Sequence, residues 1–194
     1  YKKIRKQEIS VETDSGIHKV RILEDSQKAT VRMGAPLIEE TAHVISMEGQ
    51  KTEMTIVSMG NPHAVIFMTP EEGSWKTWDM KKAAAISTHS DFPEGINVEL
   101  VQVYSETGMK VRVWERGSNE TLSCGSGACA AAAAAIRSGR TKQKVNIEMP
   151  GGMLEVEWKE DGELYLTGGC RFVCEGEYPG SIAGPCSEAE IGKA

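Results

Sequence analysis

No stretch of this chain is long and apolar enough to span a membrane; residues 128–136 form an apolar block, but a short and alanine-rich one. No secretory signal opens it, since Tyr1-Lys2-Lys3-Ile4-Arg5-Lys6 is basic and polar, so a cytoplasmic location is expected. Nor does it begin with methionine, which reads as a fragment or a processed product. Positive charge is not in excess: 22 Lys and Arg against 28 Asp and Glu leave a net charge of −6, which argues against a nucleic-acid partner. Cys124, Cys129, Cys170, Cys174 and Cys186 form no Cys-x-x-Cys pair, and no histidine lies near any of them in sequence, which argues against a structural zinc. An odd number of cysteines without a signal reads as reduced thiols. No short-period repeat is visible.

What remains is a chain of 194 residues, 40% apolar and 26% charged, enough for one large domain or two small lobes with a core. The first third reads as strands. Residues 9–13 alternate apolar and polar, Asp14-Ser15-Gly16 turns, and residues 19–23 answer, predicting a hairpin. Residues 29–33, 54–59 and 64–68 are further strands, the last two flanking a loop at Gly60-Asn61-Pro62-His63. A helix is expected over 76–86, then a loop at Phe92-Pro93-Glu94-Gly95. Residues 96–104 and 109–114 are Val-rich strands, and 145–149, 153–158 and 164–167 form a meander. A last short strand is expected over 171–174, and a loose tail over 181–194.

The richest segment is Ser123-Cys124-Gly125-Ser126-Gly127-Ala128-Cys129, which runs into a block of alanines. Alanine is the best helix former, and Ser138-Gly139 is a plausible stop. A helix apolar on all sides is buried, so the fold class expected is α+β, with a curved, mostly antiparallel sheet wrapped around a central helix. The first N–H groups of that helix have no intrahelical partner and, with the dipole, favour an anion. The same field is expected to lower the Cys124 pKa towards a usable thiolate. Cys129, one turn further in, reads as core packing.

Gly60-Asn61-Pro62-His63, Phe92-Pro93 followed by Asn97-Val98, Glu115-Arg116-Gly117, and the Cys124–Cys129 turn occur in this order. Together they resemble diaminopimelate epimerase, over nearly the whole chain to about Gly176. The resemblance implies a cofactor-independent, metal-free epimerase that inverts one α-carbon of LL-diaminopimelate, on the route to lysine and peptidoglycan. Two cysteines would face each other across that carbon, because inversion needs a base and an acid on opposite sides. By resemblance, Cys124 is one of that pair, with His63 and Glu115 beside the thiols. Gly125, Ser126 and Gly127 would hold the reacting carboxylate, and Asn61, Asn97 and Arg116 the distal amino-acid end. His89 reads as structural.

The family's other catalytic cysteine lies in a Cys-Gly-Asn-Gly turn that this sequence does not contain. The expected organisation is therefore residues 1–34 as remnant strands of a first lobe, 35–168 as a complete second lobe, and 169–194 as a return to the first lobe and a tail. Such a chain would hold half an active site and be inactive alone, with a hinge near Gly34-Ala35-Pro36. Its partner would be the small-molecule substrate, and the resemblance leaves room for a homodimer. Three other readings stay open: a two-cysteine racemase of another amino acid, a non-catalytic amino-acid-binding lobe, and a thiol hydrolase built on Cys124 and His63.

Overall fold

The computed structural model describes residues 7–13, 16–23, 27–47, 49–69, 73, 75–171, 173–174 and 176. Along the chain these form β1 (Glu8–Thr13), β2 (Gly16–Leu23), β3 (Lys28–Gly34), β4 (Leu37–Met47), β5 (Gln50–Ser58), β6 (Pro62–Phe67), α1 (Met80–Ser87), β7 (Asn97–Ser105), β8 (Gly108–Glu115), β9 (Asn119–Thr121), α2 (Gly125–Arg137), β10 (Lys144–Met149), β11 (Gly152–Trp158) and β12 (Leu164–Gly169). All twelve strands join one sheet in the order β1-β2-β3-β12-β11-β10-β8-β7-β6-β5-β4, with β9 on β8. β6 with β7 and β8 with β10 are parallel pairs. Parallel neighbours need a crossover, and α1 and α2 are those two crossovers.

The alanine block decides the architecture. Ala128 to Ala135 are 0–1% exposed, so α2 is enclosed on every side. Its one-carbon side chains leave room for branched residues such as Val65, Val101, Val113, Ile147 and Leu164 from the surrounding strands. Alternation then sorts β6 and β7: Val65 and Val101 face α2, while Ala64, Ile66, Val98 and Leu100 pack with Ala83 and Ile86 of α1. Buried on both faces, these two strands read as near-continuous apolar runs.

The α+β class, the curved sheet and the enclosed helix are as the sequence predicts. The details differ in several places, among them the short β9, which the sequence reading does not contain. β4 was not foreseen: most of its positions are exposed, so it carries no clean alternation. The loop at 60–63 ends earlier than expected, because Pro62 and His63 already pair with Ser58 and Val57 as the start of β6. The helix expected over 76–86 is α1, shifted towards the C-terminus, where the Asp79 side chain caps it by accepting the Lys81 N–H at 3.0 Å. Arg171, Val173 and Cys174 lie in no strand. The tail over 181–194, with Cys186, lies outside the described residues.

Candidate active site

Cys124 is the N-cap of α2. Its backbone is extended (φ −136°, ψ 118°) and its Sγ accepts the Gly127 N–H at 3.4 Å, the place a Ser or Asp oxygen usually takes. The thiol therefore occupies one of the helix's first donors itself. The N–H groups of Gly125 and Ser126, which an α-helix cannot pair internally, remain for an anion. Of the three donors assigned to a carboxylate from sequence, Gly127 is thus already engaged.

Glycine is required in this turn by close approach. A Cβ on Gly127 would lie 2.6 Å from Glu99 Oε1 and 3.3 Å from Cys124 Sγ, and one on Gly125 would lie 3.1 Å from Leu166 Cδ2. The turn is pressed against β7 on one side and β12 on the other.

From Cys124 a file of polar side chains runs inward. Its Sγ is 3.5 Å from Ser126 Oγ, which in turn lies 3.5 Å from Asn61 Nδ2. Asn61 Oδ1 is 3.0 Å from His63 Nε2, and His63 Nδ1 is 2.7 Å from Glu99 Oε1. His63 and Glu99 are both 0% exposed. Glu99 Oε2 meets no hydrogen-bond partner among the described residues. His63 is therefore a buried residue that reaches the thiol only through Asn61 and Ser126. It does not pair with Cys124 as a thiol hydrolase would need.

Asn97 opens β7, beside His63 on β6, and Glu115 and Arg116 lie at the end of β8 next to it. Asn97, 5% exposed, donates from Nδ2 to the Pro62 carbonyl at 3.0 Å and accepts the Arg116 N–H on Oδ1 at 2.8 Å. One amide thus ties the ends of β6, β7 and β8. The Arg116 guanidinium donates to the Glu94 and Gly95 carbonyls at 2.9 and 3.4 Å. Glu115 closes β8 and accepts from the Thr121 hydroxyl. His89 caps its own turn, its Nδ1 3.3 Å from Asp91 Oδ1. Cys129 is 0% exposed in the core.

Burial pushes the Cys124 thiol above the ordinary range; the Ser126 hydroxyl and the Gly127 N–H pull it back, and Glu115 and Glu99 add to the rise. The net direction corrects the lowering expected from the helix end alone: enclosure and two nearby carboxyls outweigh the donors. Burial likewise pushes the Glu99 carboxyl up, against the pull of His63. Glu99 was missed from sequence. Its signal was a lone acidic residue inside the Val-rich run over 96–104. A separate cavity of about 880 Å³ opens at the far end of α2, beside Arg137, Trp158 and Lys159. It contains none of these residues.

The family model described as diaminopimelate epimerase matches residues 55–173. Diaminopimelate epimerase of Desulfitobacterium hafniense is 40% identical over 156 residues, covering 80% of this chain and 53% of the relative. That of Desulfovibrio desulfuricans is 39% identical over 193 residues, covering 88% and 66%. The chain thus spans between about half and two thirds of the length of these relatives. Among solved structures, a hydroxyproline epimerase from Agrobacterium vitis superposes with a TM-score of 0.62 at 17% identity, covering 86% of this chain and 58% of that one. A predicted epimerase from Pseudomonas aeruginosa gives 0.66 at 17%, covering 90% and 67%. At that identity the likeness is one of fold.

Proposed function

The chain belongs to the diaminopimelate epimerase family, and from that premise we propose that it supplies the Cys124 half of a cofactor-independent epimerase acting on LL-diaminopimelate. In this reading one thiolate removes the α-proton and a thiol on the opposite face returns one. Cys124 is one member of the pair, and the reaction serves lysine and peptidoglycan synthesis in the cytoplasm.

The observation that carries the reading is the Cys124 turn. It sets a sulfur at one helix end beside the N–H groups of Gly125 and Ser126, which have no partner among the described residues, so a carboxylate held there presents its α-carbon to the thiol. The developing carbanion is delocalised into that carboxylate, where fixed dipoles stabilise it without reorganisation. Arg116 and Asn61 are the groups for the distal amino-acid end in this reading. Arg suits a carboxylate there because its fork is planar and always charged. Asn97 serves by holding the backbone of Arg116.

The opposing thiol comes from a first-lobe segment. Of the other described cysteines, Cys129 is sealed in the core, Cys170 donates to the Gln27 carbonyl at 3.2 Å and Cys174 is exposed. On this reading β1–β3 are first-lobe strands, residues 35–168 are the second lobe, and the chain alone does not invert substrate.

The test is proton NMR of LL-diaminopimelate in D₂O, with the chain alone and with a first-lobe segment carrying the second cysteine. Conversion of the LL to the meso form with both parts, abolished by Cys124→Ala, is the expected result. Inversion that survives Cys124→Ala removes the assignment, and inversion by the chain alone removes the half-site.

A further inference from the structure

The loop between α1 and β7 enters none of the roles above, yet Arg116 rests on it. Its neck is closed twice: the Ser87 hydroxyl donates to the Ile96 carbonyl at 2.6 Å, and the Ile96 N–H returns to the Ser87 carbonyl at 3.0 Å. Two turns follow inside, from the Phe92 N–H to the His89 carbonyl at 2.9 Å and from the Gly95 N–H to the Phe92 carbonyl at 2.8 Å. The inner end is a seat. Arg116 Nη1 donates to the Glu94 and Gly95 carbonyls, and a Cβ on Gly95 would stand 3.0 Å from Arg116 Cδ and 3.1 Å from Cγ. The arginine stem thus lies against a residue that carries no side chain. Its Nε and Nη2, a pair that can grip a carboxylate through two bonds, have no partner among the described residues.

The outer end of the loop is held from the edge strand. The β4 register shifts on both sides of Glu40, and such bulges re-aim side chains. His43, just past them, is in phase with Ile45 of the α1 core and lies beside Phe92, ring centroids 5.5 Å apart. Its Nδ1 is 2.9 Å from Glu40 Oε2. Its Nε2, sealed from solvent, is 3.2 Å from Asp91 Oδ2, within ion-pair reach though off the line of a hydrogen bond. His89 Nδ1 lies 3.3 Å from both the Asp91 nitrogen and Asp91 Oδ1. A neutral imidazole has one N–H and cannot donate to a carboxylate at each nitrogen; an imidazolium can.

We infer that Asp91 is a positioning residue: gripped by His43 and His89, it latches the loop to β4 and so holds the Glu94–Gly95 seat under the Arg116 guanidinium. The charged groups facing His43 are Glu40 on β4 and Asp91 on the loop, with His89 beyond Asp91. From β5 it meets Met54, which is uncharged. Imidazole is the side chain that ordinarily changes charge between about pH 5 and 8, so the latch tightens as pH falls through that range.

The inference rests on reading Arg116 as the group for the distal carboxylate. Its test needs no substrate, so its failure is distinct from a failure of the epimerase reading. The full chain is followed by NMR as wild type, Asp91→Asn and His43→Gln. The readouts are hydrogen-exchange protection of the Phe92 and Gly95 amides and the heteronuclear NOE at Arg116 Nε, with the α2 amides as the control for the whole fold. Wild type is expected to protect the loop more at about pH 6 than at about pH 8. Asp91→Asn should lower that protection by roughly threefold at the lower pH, flatten its pH dependence and loosen Arg116 Nε while α2 is unchanged. His43→Gln should weaken the same pH dependence. Loop protection unchanged in Asp91→Asn overturns the inference. So does a loosened loop that leaves Arg116 as ordered as before, or wild-type protection equal at the two pH values. If Asp91→Asn also strips protection from α2, His43→Gln decides alone: a loss confined to the loop and Arg116 supports the latch, and any other result overturns it.

Discussion

Asn97 holds the backbone of Arg116: its Oδ1 accepts that residue's N–H at 2.8 Å, while its Nδ2 donates to the Pro62 carbonyl at 3.0 Å. Removing the amide leaves two main-chain groups unpaired at the junction of three strands. Asn97→Ala is expected to cost about 2–4 kcal/mol in urea denaturation, one to three for each group left without a partner, offset by access of water. Asn97→Asp keeps the acceptor and loses the donor, so it should cost about half as much. Equal losses would mean that only the bond to the Pro62 carbonyl matters, and no loss for Asn97→Asp that only the Arg116 bond does.

Gly127→Ala places a methyl group 2.6 Å from Glu99 Oε1. Either the carboxyl leaves His63 or the first turn of α2 shifts, and overpacking of this kind costs about 1–3 kcal/mol. Thermal or urea unfolding of the variant should show that loss even though alanine is the better helix former by about 1 kcal/mol. A stabilised Gly127→Ala would mean that the turn has slack.

The thiols should react in a fixed order. Cys124 is part-exposed at the helix mouth, whereas Cys129 is 0% exposed and pushed up to about 12 by burial. Alkylation of the native chain should therefore label Cys124 well before Cys129, and denaturation should remove the difference. Cys129 labelled first would displace the assignment of the helix mouth.

Cys129 also predicts an alkaline limit to stability. Its thiol titrates at 9.0 in the unfolded reference and at about 12 in the fold. The unfolded chain therefore loses its proton first. The stability held below pH 9.0 is lost as pH rises towards about 12, with a slope of about 1.4 kcal/mol per pH unit for the single proton. Cys124, raised as well, adds to the same trend. Urea midpoints measured at pH 8 and 10 should fall for wild type and fall less for Cys129→Ala. Parallel slopes would place the alkaline loss elsewhere.

Much of this was legible in the sequence because the signals were local. The β1–β2 hairpin follows from alternation about a Gly turn, and α2 from its alanines, its Gly-rich mouth and Gly139 in a left-handed conformation (φ 70°) past Ser138. β4 escaped because it lies at the sheet edge, where most side chains meet solvent and no periodicity is imposed. Glu99 escaped for the opposite reason. Its strand is buried on both faces, so only the tertiary partner, His63, explains a carboxyl there. The direction of the Cys124 shift was likewise a property of enclosure, which a helix start read in isolation does not contain.

The enclosure of α2 has a consequence for motion. Its backbone amides from Ala128 to Ala135 have strands around them and only methyl groups between, so they have no local route to water. Such amides exchange hydrogen only when the whole sheet lets go. The sulfur at its mouth is therefore anchored to the part of the molecule expected to open last; on the proposed two-thiol reading, it is the second thiol that approaches.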